Sequence, residues 1–120
     1  MTHHAPPHLP SASEAGLKVA QLRHVLGLVE QIAGRDSGDR AAEAALDESA
    51  RISIAYEAAM PILQRRFDAL AAEGTAWAAA GVEALLAADG EPSPAAAARL
   101  ADELDRALAK LTRVLRGLRE

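Results

Sequence analysis

Apolar residues recur every three or four positions along most of the chain, which predicts helices and not strands. The first such segment runs from Ser11 to Ala33. Ser11 followed by Glu14 fits a capping box at a helix start, and Gly34 is typical of the residue that ends a helix. The apolar stripe of this first helix is Leu22, Val25, Leu26, Val29, Ile32 and Ala33.

A second, longer segment alternates by four and three, which is a heptad pattern. Pro61 lies inside it without shifting its phase, so the pattern predicts one long helix that is kinked at Pro61. Gly74 and Thr75 predict a break before a third helix that ends near Ala88. The phase also continues through Gly74, which leaves a single helix of about 50 residues as the alternative. The heptad positions are Ala42, Leu46, Ser49, Ser53, Tyr56, Met60, Leu63, Phe67 and Leu70.

The clearest boundary in the chain is the segment from Asp89 to Pro94, where Ser93 can cap a helix and Pro94 can occupy its first position. The last helix is expected to extend to about Leu118, with Leu104, Leu111 and Leu118 repeating every seven residues. The fold class predicted is all-α: an antiparallel three- or four-helix bundle with a long Pro-kinked second helix. Residues 1–10 are expected to be a flexible His/Pro-rich tail, and residues 11–120 a single helical-bundle domain.

Composition supports helices and suggests a partner. Half of the apolar residues are Ala, and the aromatic side chains are one Tyr, one Phe and one Trp. Ala is the best helix former, but each buried Ala removes little apolar area from water. A second copy of the chain would bury more, so a homodimer is expected.

Charge and apolar content argue against several partners and locations. The net charge is −4 and the sequence has no Cys, so we expect no nucleic-acid partner and no disulfides or Cys-based zinc site. The most apolar stretch, residues 69–88, contains Glu73 and Glu83 and is too weak for a membrane span. The N-terminal residues lack the apolar core of a signal peptide. The expectation is a cytoplasmic protein with no membrane partner.

His24 is the only histidine inside a predicted helix, and an exposed helical histidine is the phosphoacceptor of phosphotransfer domains. Such domains carry a Lys and a Gly shortly after the histidine. Here Val25, Leu26 and Gly27 follow, so the Lys is absent and the Gly is misplaced. His24 is therefore a weakly supported phosphoacceptor candidate beside the alternative of an ordinary surface residue.

The common catalytic and metal-binding motifs are absent from the sequence. Gln21 stands where a di-iron site would need Glu three residues before His24. There is no His-Glu-x-x-His, phosphate-binding loop or nucleophile elbow. Because of these absences we expect no enzyme and no cofactor. His3, His4 and His8 in the tail are able to chelate Cu²⁺ or Ni²⁺, although a His-rich tail also binds metals adventitiously.

Polar residues on the heptad seam suggest a ligand pocket as an alternative function. Ser49, Ser53 and Tyr56 are polar positions on the second helix, and Met60 and Trp77 share their phase. These five residues would line a small-molecule cavity if the seam enclosed one. The competing interpretation is an ordinary core, in which Ser bonds back to its own helix and Tyr points its hydroxyl to water.

The last helix has a cationic end, with no acid between Asp105 and Glu120. Cations there complement the helix dipole, and they also suit an acidic partner. The function predicted from the sequence is a non-enzymatic helical protein–protein interaction module that self-associates. The homodimer would join along the second or the last helix, with Leu104, Leu111 and Leu118 as interface candidates. The cations are Arg106, Lys110, Arg113, Arg116 and Arg119.

Overall fold

A computed structural model of the chain describes residues 12–35, 38–87 and 89–117 and places four helices in them. They are α1 (Ala12–Ile32), α2 (Gly38–Ala58), α3 (Pro61–Ala87) and α4 (Pro94–Leu115). These described residues contain no strand. The prediction of an all-α bundle is confirmed.

Two helix ends form by the local chemistry that the sequence predicted. At the end of α1, Gly34 has φ of 80°, and the Arg35 amide donates to the Glu30 carbonyl at 2.8 Å. Together with the bond from the Gly34 amide to the Gln31 carbonyl, this is a Schellman motif. At the start of α4, the Ser93 hydroxyl accepts from the Ala96 amide at 3.2 Å, and Pro94 occupies the first helical position.

The chain is not one kinked helix around Pro61 but two separate helices. Helix α2 ends at Ala58, and α3 begins at Pro61. The Met60 carbonyl accepts hydrogen bonds from the amides of Leu63 and Gln64, at 2.9 and 3.0 Å. Pro61 therefore occupies the first turn of a new helix, where its missing amide costs nothing. The heptad phase did not reveal this break because both helices present apolar residues to the same core.

The expected break at Gly74 is wrong. Helix α3 is continuous over 27 residues, and Gly74 lies between two buried residues of that helix, Ala71 and Ala78. Gly in a helix interior costs only about 1 kcal/mol relative to Ala. Packing on both sides of Gly74 outweighs that cost.

Helix α1 contacts each of the other three helices, and α3 also packs along α4. Gly16 of α1 lies near Ser53 of α2, whereas Arg23, further along α1, reaches Glu48, so these two helices are antiparallel. Helices α3 and α4 are antiparallel as well. Leu63 approaches Gly117 at one end of the pair, and Gly81 approaches Leu100 at the other.

Two residues of the Leu repeat, Leu104 and Leu111, belong to the core and not to an exposed interface. Leu104 and Leu111 are buried to 0% and 2% exposure, and Leu108 between them is buried too. The prediction that Leu104 and Leu111 are interface residues is wrong, because side chains enclosed by their own chain have no surface to offer a partner. Leu118 lies outside the described residues. The other large core side chains include Val19, Val29, Phe67 and Val114.

Helices α1 and α2 approach most closely at Gly16. A Cβ placed on Gly16 would lie 2.6 Å from the carbonyl oxygen of Ser49 and would also collide with the hydroxyl of Ser53. A backbone carbonyl has no rotamer by which to move aside. Gly27 in the same helix has no atom within 4 Å of such a Cβ. The two glycines therefore offer a matched pair for testing this contact.

We expect Gly16→Ala to lower the free energy of unfolding by about 1–3 kcal/mol, since the added methyl overpacks the α1–α2 contact by more than the helix-propensity gain returns. Gly27→Ala should raise the unfolding free energy by about 0.5–1 kcal/mol. Urea denaturation followed by circular dichroism measures both. If the two substitutions stabilise the chain equally, the close approach at Gly16 is not present.

Candidate functional site

An apolar groove with a volume of about 510 Å³ lies between α1 and α3. Its walls are almost wholly apolar. Among the described residues that line it, Gln21, Thr75 and Glu83 are polar, and none belongs to α2 or α4. The apolar residues of the walls are Leu22, Val25, Leu28, Val29 and Ile32 of α1, and Ala78, Ala79, Val82, Leu85 and Leu86 of α3.

Large side chains at the edge of this α1–α3 groove remain exposed. Leu28 on α1 is 48% exposed and Leu86 on α3 is 61% exposed. Of the described residues that line the groove, Glu83 alone is ionisable. With an almost uncharged wall, the groove is suited to binding apolar surface.

A second, smaller cavity of about 310 Å³ lies between α3 and α4. Trp77 and Gly81 form its α3 side, and Arg99, Leu100 and Glu103 are on its α4 side. A Cβ on Gly81 would lie 2.7 Å from Leu100 Cδ1, so the two helices are in close contact here. The cavity is therefore a shallow depression over a tight helix–helix contact.

Tyr56, a predicted pocket residue, is part of the core. Its side chain is 5% exposed, and its hydroxyl donates a hydrogen bond of 3.0 Å to Asp68 Oδ2. Its ring packs edge-on against Phe67, with 5.6 Å between ring centroids. Burial, followed by the bond to Asp68 and the charge of that carboxylate, raises the pKa of Tyr56 to about 12.

The other predicted pocket residues are dispersed. Ser49 and Ser53 lie against Gly16 at the α1–α2 contact. Met60 is largely exposed at the connection between α2 and α3, and Trp77 lines the α3–α4 cavity. Neither of the two cavities described above includes Ser49, Ser53, Tyr56 or Met60 in its walls.

His24 lies exposed on α1, and Val25, Leu26 and Gly27 follow it, without the Lys that phosphotransfer domains carry after the histidine. Its role as a phosphoacceptor stays a prediction. His3, His4 and His8 lie outside the described residues. Within residues 12–35, 38–87 and 89–117, no three His, Asp or Glu side chains form a group that would hold a metal ion. No helix in that part of the chain is both long and apolar enough to cross a bilayer.

The ion pairs of the described region fix the helices and do not form a reactive cluster. Arg23 donates to both carboxylate oxygens of Glu48, from Nε at 2.9 Å and from Nη2 at 2.8 Å. The hydrogen bond to Glu48 raises the pKa of Arg23 despite its partial burial. Arg23 also reaches Asp105 at 3.4 Å, and Arg35 pairs with Asp102 at 3.0 Å. Helix α1 is thus tied to both α2 and α4.

The α1–α3 groove was missed by sequence reasoning. The available signal was Leu28, an apolar residue that falls beside His24 and off the main stripe of α1. Leu86 gave no comparable signal, because it lies in an apolar run whose exposed side depends on how α3 packs. Periodicity identifies apolar stripes but does not say which of them another helix covers.

Because Tyr56 is the only tyrosine, its ionisation is measurable by absorbance near 295 nm. We expect a native-state midpoint at a pKa of about 12, against about 10 for the chain unfolded in urea. A raised folded-state pKa means that the unfolding free energy falls as the pH rises from about 10 through 12.

Asp68→Asn should lower the native midpoint but leave it above 10, since burial, the largest cause, remains. Circular dichroism at each pH confirms that the chain is folded. A native midpoint equal to that of the unfolded chain would contradict the burial of Tyr56.

Known protein families, characterised proteins and solved structures yield no significant match to this chain. The chemistry of its own surfaces is therefore what indicates a function.

Proposed function

We propose that the chain is a non-enzymatic protein–protein interaction module that self-associates through its α1–α3 groove. The observation that carries this proposal is an apolar groove of about 510 Å³ with Leu28 and Leu86 half-exposed at its edge. Contiguous apolar patches on a small domain mark binding surfaces, because leaving them in water is unfavourable.

The low charge of the groove supports a protein interface. Charged residues are depleted at the centre of interfaces, since each must lose its water when the partner docks. Among the described residues of the groove, Gln21 and Thr75 are polar and neutral, and Glu83 is the single charged residue. An amphipathic helix with apolar residues at spacings of three and four would fit such a groove.

The partner we infer is a second copy of the chain. The exposed surface on α1 extends from Leu17, which is 54% exposed, to Ile32. This surface is about 24 Å long at 1.5 Å per residue. It is about 20 Å wide, because α1 and α3 lie side by side in it. Two such faces packed by a two-fold axis would stack four helices and bury about 1,000 Å² in total. Small residues such as Ala79 would allow close approach.

An interface of this size predicts a reversible dimer and not a permanent one. Leu28 and Leu86 of each copy would enter the groove of the other. This differs from pairing along the second or the last helix through Leu104 and Leu111, whose side chains are buried within their own chain. A dimer of this kind would cover the exposed apolar face of α1 and α3, and every core residue would keep its position.

A second candidate function is the binding of an apolar small molecule in the same groove. Its volume lies within the range of about 300–1,000 Å³ that is typical of small-molecule sites. This alternative places the ligand against Val25, Val82 and Leu86, and not at the polar seam residues that the sequence suggested.

We expect the wild-type chain to dimerise with a dissociation constant in the micromolar range, about −8 kcal/mol. Leu86→Asp should weaken the dimer at least thirtyfold, because it would bury a carboxylate at the interface. Ile54→Asp is the matched control: Ile54 is 71% exposed on α2 and does not line the groove, so it should change the dissociation constant less than twofold. Sedimentation equilibrium over a range of concentrations measures these constants.

A chain that stays monomeric at millimolar concentration would overturn the proposed dimer. If apolar ligands then raised its melting temperature, and Leu86→Asp abolished that rise, the small-molecule alternative would be correct. A dimer weakened equally by both substitutions would show that the interface lies elsewhere. Circular dichroism of each variant establishes that the fold is retained.

A further inference from the structure

The net charge of −4 conceals an uneven distribution. The last three turns of α4 and the residue after it carry Arg106, Lys110, Arg113 and Arg116, all exposed. Within the described residues none of these four side chains forms an ion pair or a hydrogen bond. The α4 ion pairs that are formed involve acids of its first half, Asp102 and Asp105. The cations therefore have their charge available for a partner.

These cations lie beside the start of α3. A Cβ placed on Gly117, just after α4, would lie 3.8 Å from Leu63 Cδ1, so the C-terminal turn of α4 is next to the first turn of α3. Ile62 in that turn is 60% exposed. Since α3 and α4 are antiparallel, the cationic half of α4 runs beside the first half of α3.

Trp77 identifies which side of this helix pair faces outward. It is 39% exposed and borders the α3–α4 cavity together with Glu103. On α4, residues Glu103, Arg106, Lys110 and Arg113 follow one another at helical spacing, so they share a stripe. On α3, Ile62, Ala69, Glu73 and Trp77 share a stripe in the same way. We call these two stripes together the cationic face.

We propose that the cationic face binds reversibly to an anionic lipid surface. Arg106, Lys110 and Arg113 would lie among the phosphate headgroups, while Ile62 and Trp77 enter the interfacial layer. Clusters of basic residues are attracted to anionic membranes, and Trp is enriched at the depth of the headgroups. Glu73 and Glu103 also lie on this face, near Trp77, so its positive charge is concentrated toward the end of α4 that is next to Ile62.

The combination of charges with single apolar side chains favours lipid over nucleic acid. A phosphodiester backbone satisfies Arg and Lys but offers nothing to an exposed Ile, whereas a bilayer receives both. A lipid surface also requires no concave fit, which suits a face made by two helices side by side. The absence of a spanning helix concerns insertion across the bilayer and not attachment to its surface. The sequence-based expectation of no membrane partner rested on the lack of a stretch apolar enough to span a bilayer, which does not bear on attachment to its surface.

The probe is a vesicle of phosphatidylcholine with 40% phosphatidylglycerol, compared with phosphatidylcholine alone. Because the chain has a single Trp, its fluorescence reports on Trp77 directly. We expect a blue shift and sedimentation with the anionic vesicles, loss of both as the salt concentration rises, and neither with phosphatidylcholine alone. Binding that leaves the emission of Trp77 unchanged would overturn the proposed orientation.

Two charge-reversal variants of equal net charge locate the site. Lys110→Glu with Arg113→Glu should weaken vesicle binding at least tenfold. Lys18→Glu with Arg51→Glu alters two cations of α1 and α2 that lie outside the cationic face, and it should weaken binding less than threefold. Equal losses in the two variants would show that only net charge matters, and the proposal would be wrong.

Apolar contact is tested by a second pair of variants. Ile62→Ser should weaken vesicle binding about threefold to tenfold, and Ile54→Ser, on α2 and outside both proposed surfaces, should leave it unchanged. If Ile62→Ser has no effect and duplex DNA displaces the vesicles, the face is a phosphate-binding surface for nucleic acid and the lipid proposal is overturned. This proposal does not depend on the α1–α3 groove, because Leu86 variants report on self-association and Ile62 variants on lipid binding.

Discussion

Everything in this fold depends on the packing of α1, which contacts each of the other three helices. The close contact with α2 is possible because Gly16 has no side chain, since a Cβ there would collide with Ser49 and Ser53. Further along α1, Arg23 donates hydrogen bonds to both carboxylate oxygens of Glu48 and forms an ion pair with Asp105 of α4. A chain whose apolar residues are half Ala relies on such close approach, because each small side chain buries little area on its own.

The same packing leaves α1 and α3 incompletely covered. Helix α2 lies against α1, and α4 fills the core with Leu104, Leu108 and Leu111, yet neither covers the seam between α1 and α3. The groove is the result, with Leu28 and Leu86 standing at its edge. On the opposite side, α3 and α4 form a second surface whose cations are unpaired among the described residues. The two proposed binding activities thus occupy separate surfaces of one small bundle.

The elements were more predictable than the site. Ser93, Pro94 and Gly34 act through bonds within a few residues, and each end forms as the sequence predicts. Pro61 was misjudged because heptad phase is the same on both sides of the break. Tyr56, Ser49 and Ser53 were predicted to line a pocket, but a polar residue on a seam faces whichever helix lies opposite. The two serines lie against Gly16 of α1, and Tyr56 donates a hydrogen bond to Asp68 of α3. Sequence spacing contains no information about which helix that is.

The sequence by itself determined that the chain is helical, that α1 ends just before Gly34, that α4 begins after Ser93, and that one end of α4 is cationic. These properties depend on propensity, caps and charge, which act over one or two turns. Only the tertiary structure decided that Leu104 and Leu111 are buried, that Leu28 and Leu86 border a groove, and that Trp77 lies beside Glu103 of α4. Those outcomes depend on the rotation of each helix about its axis, which is set by contacts between residues far apart in the chain.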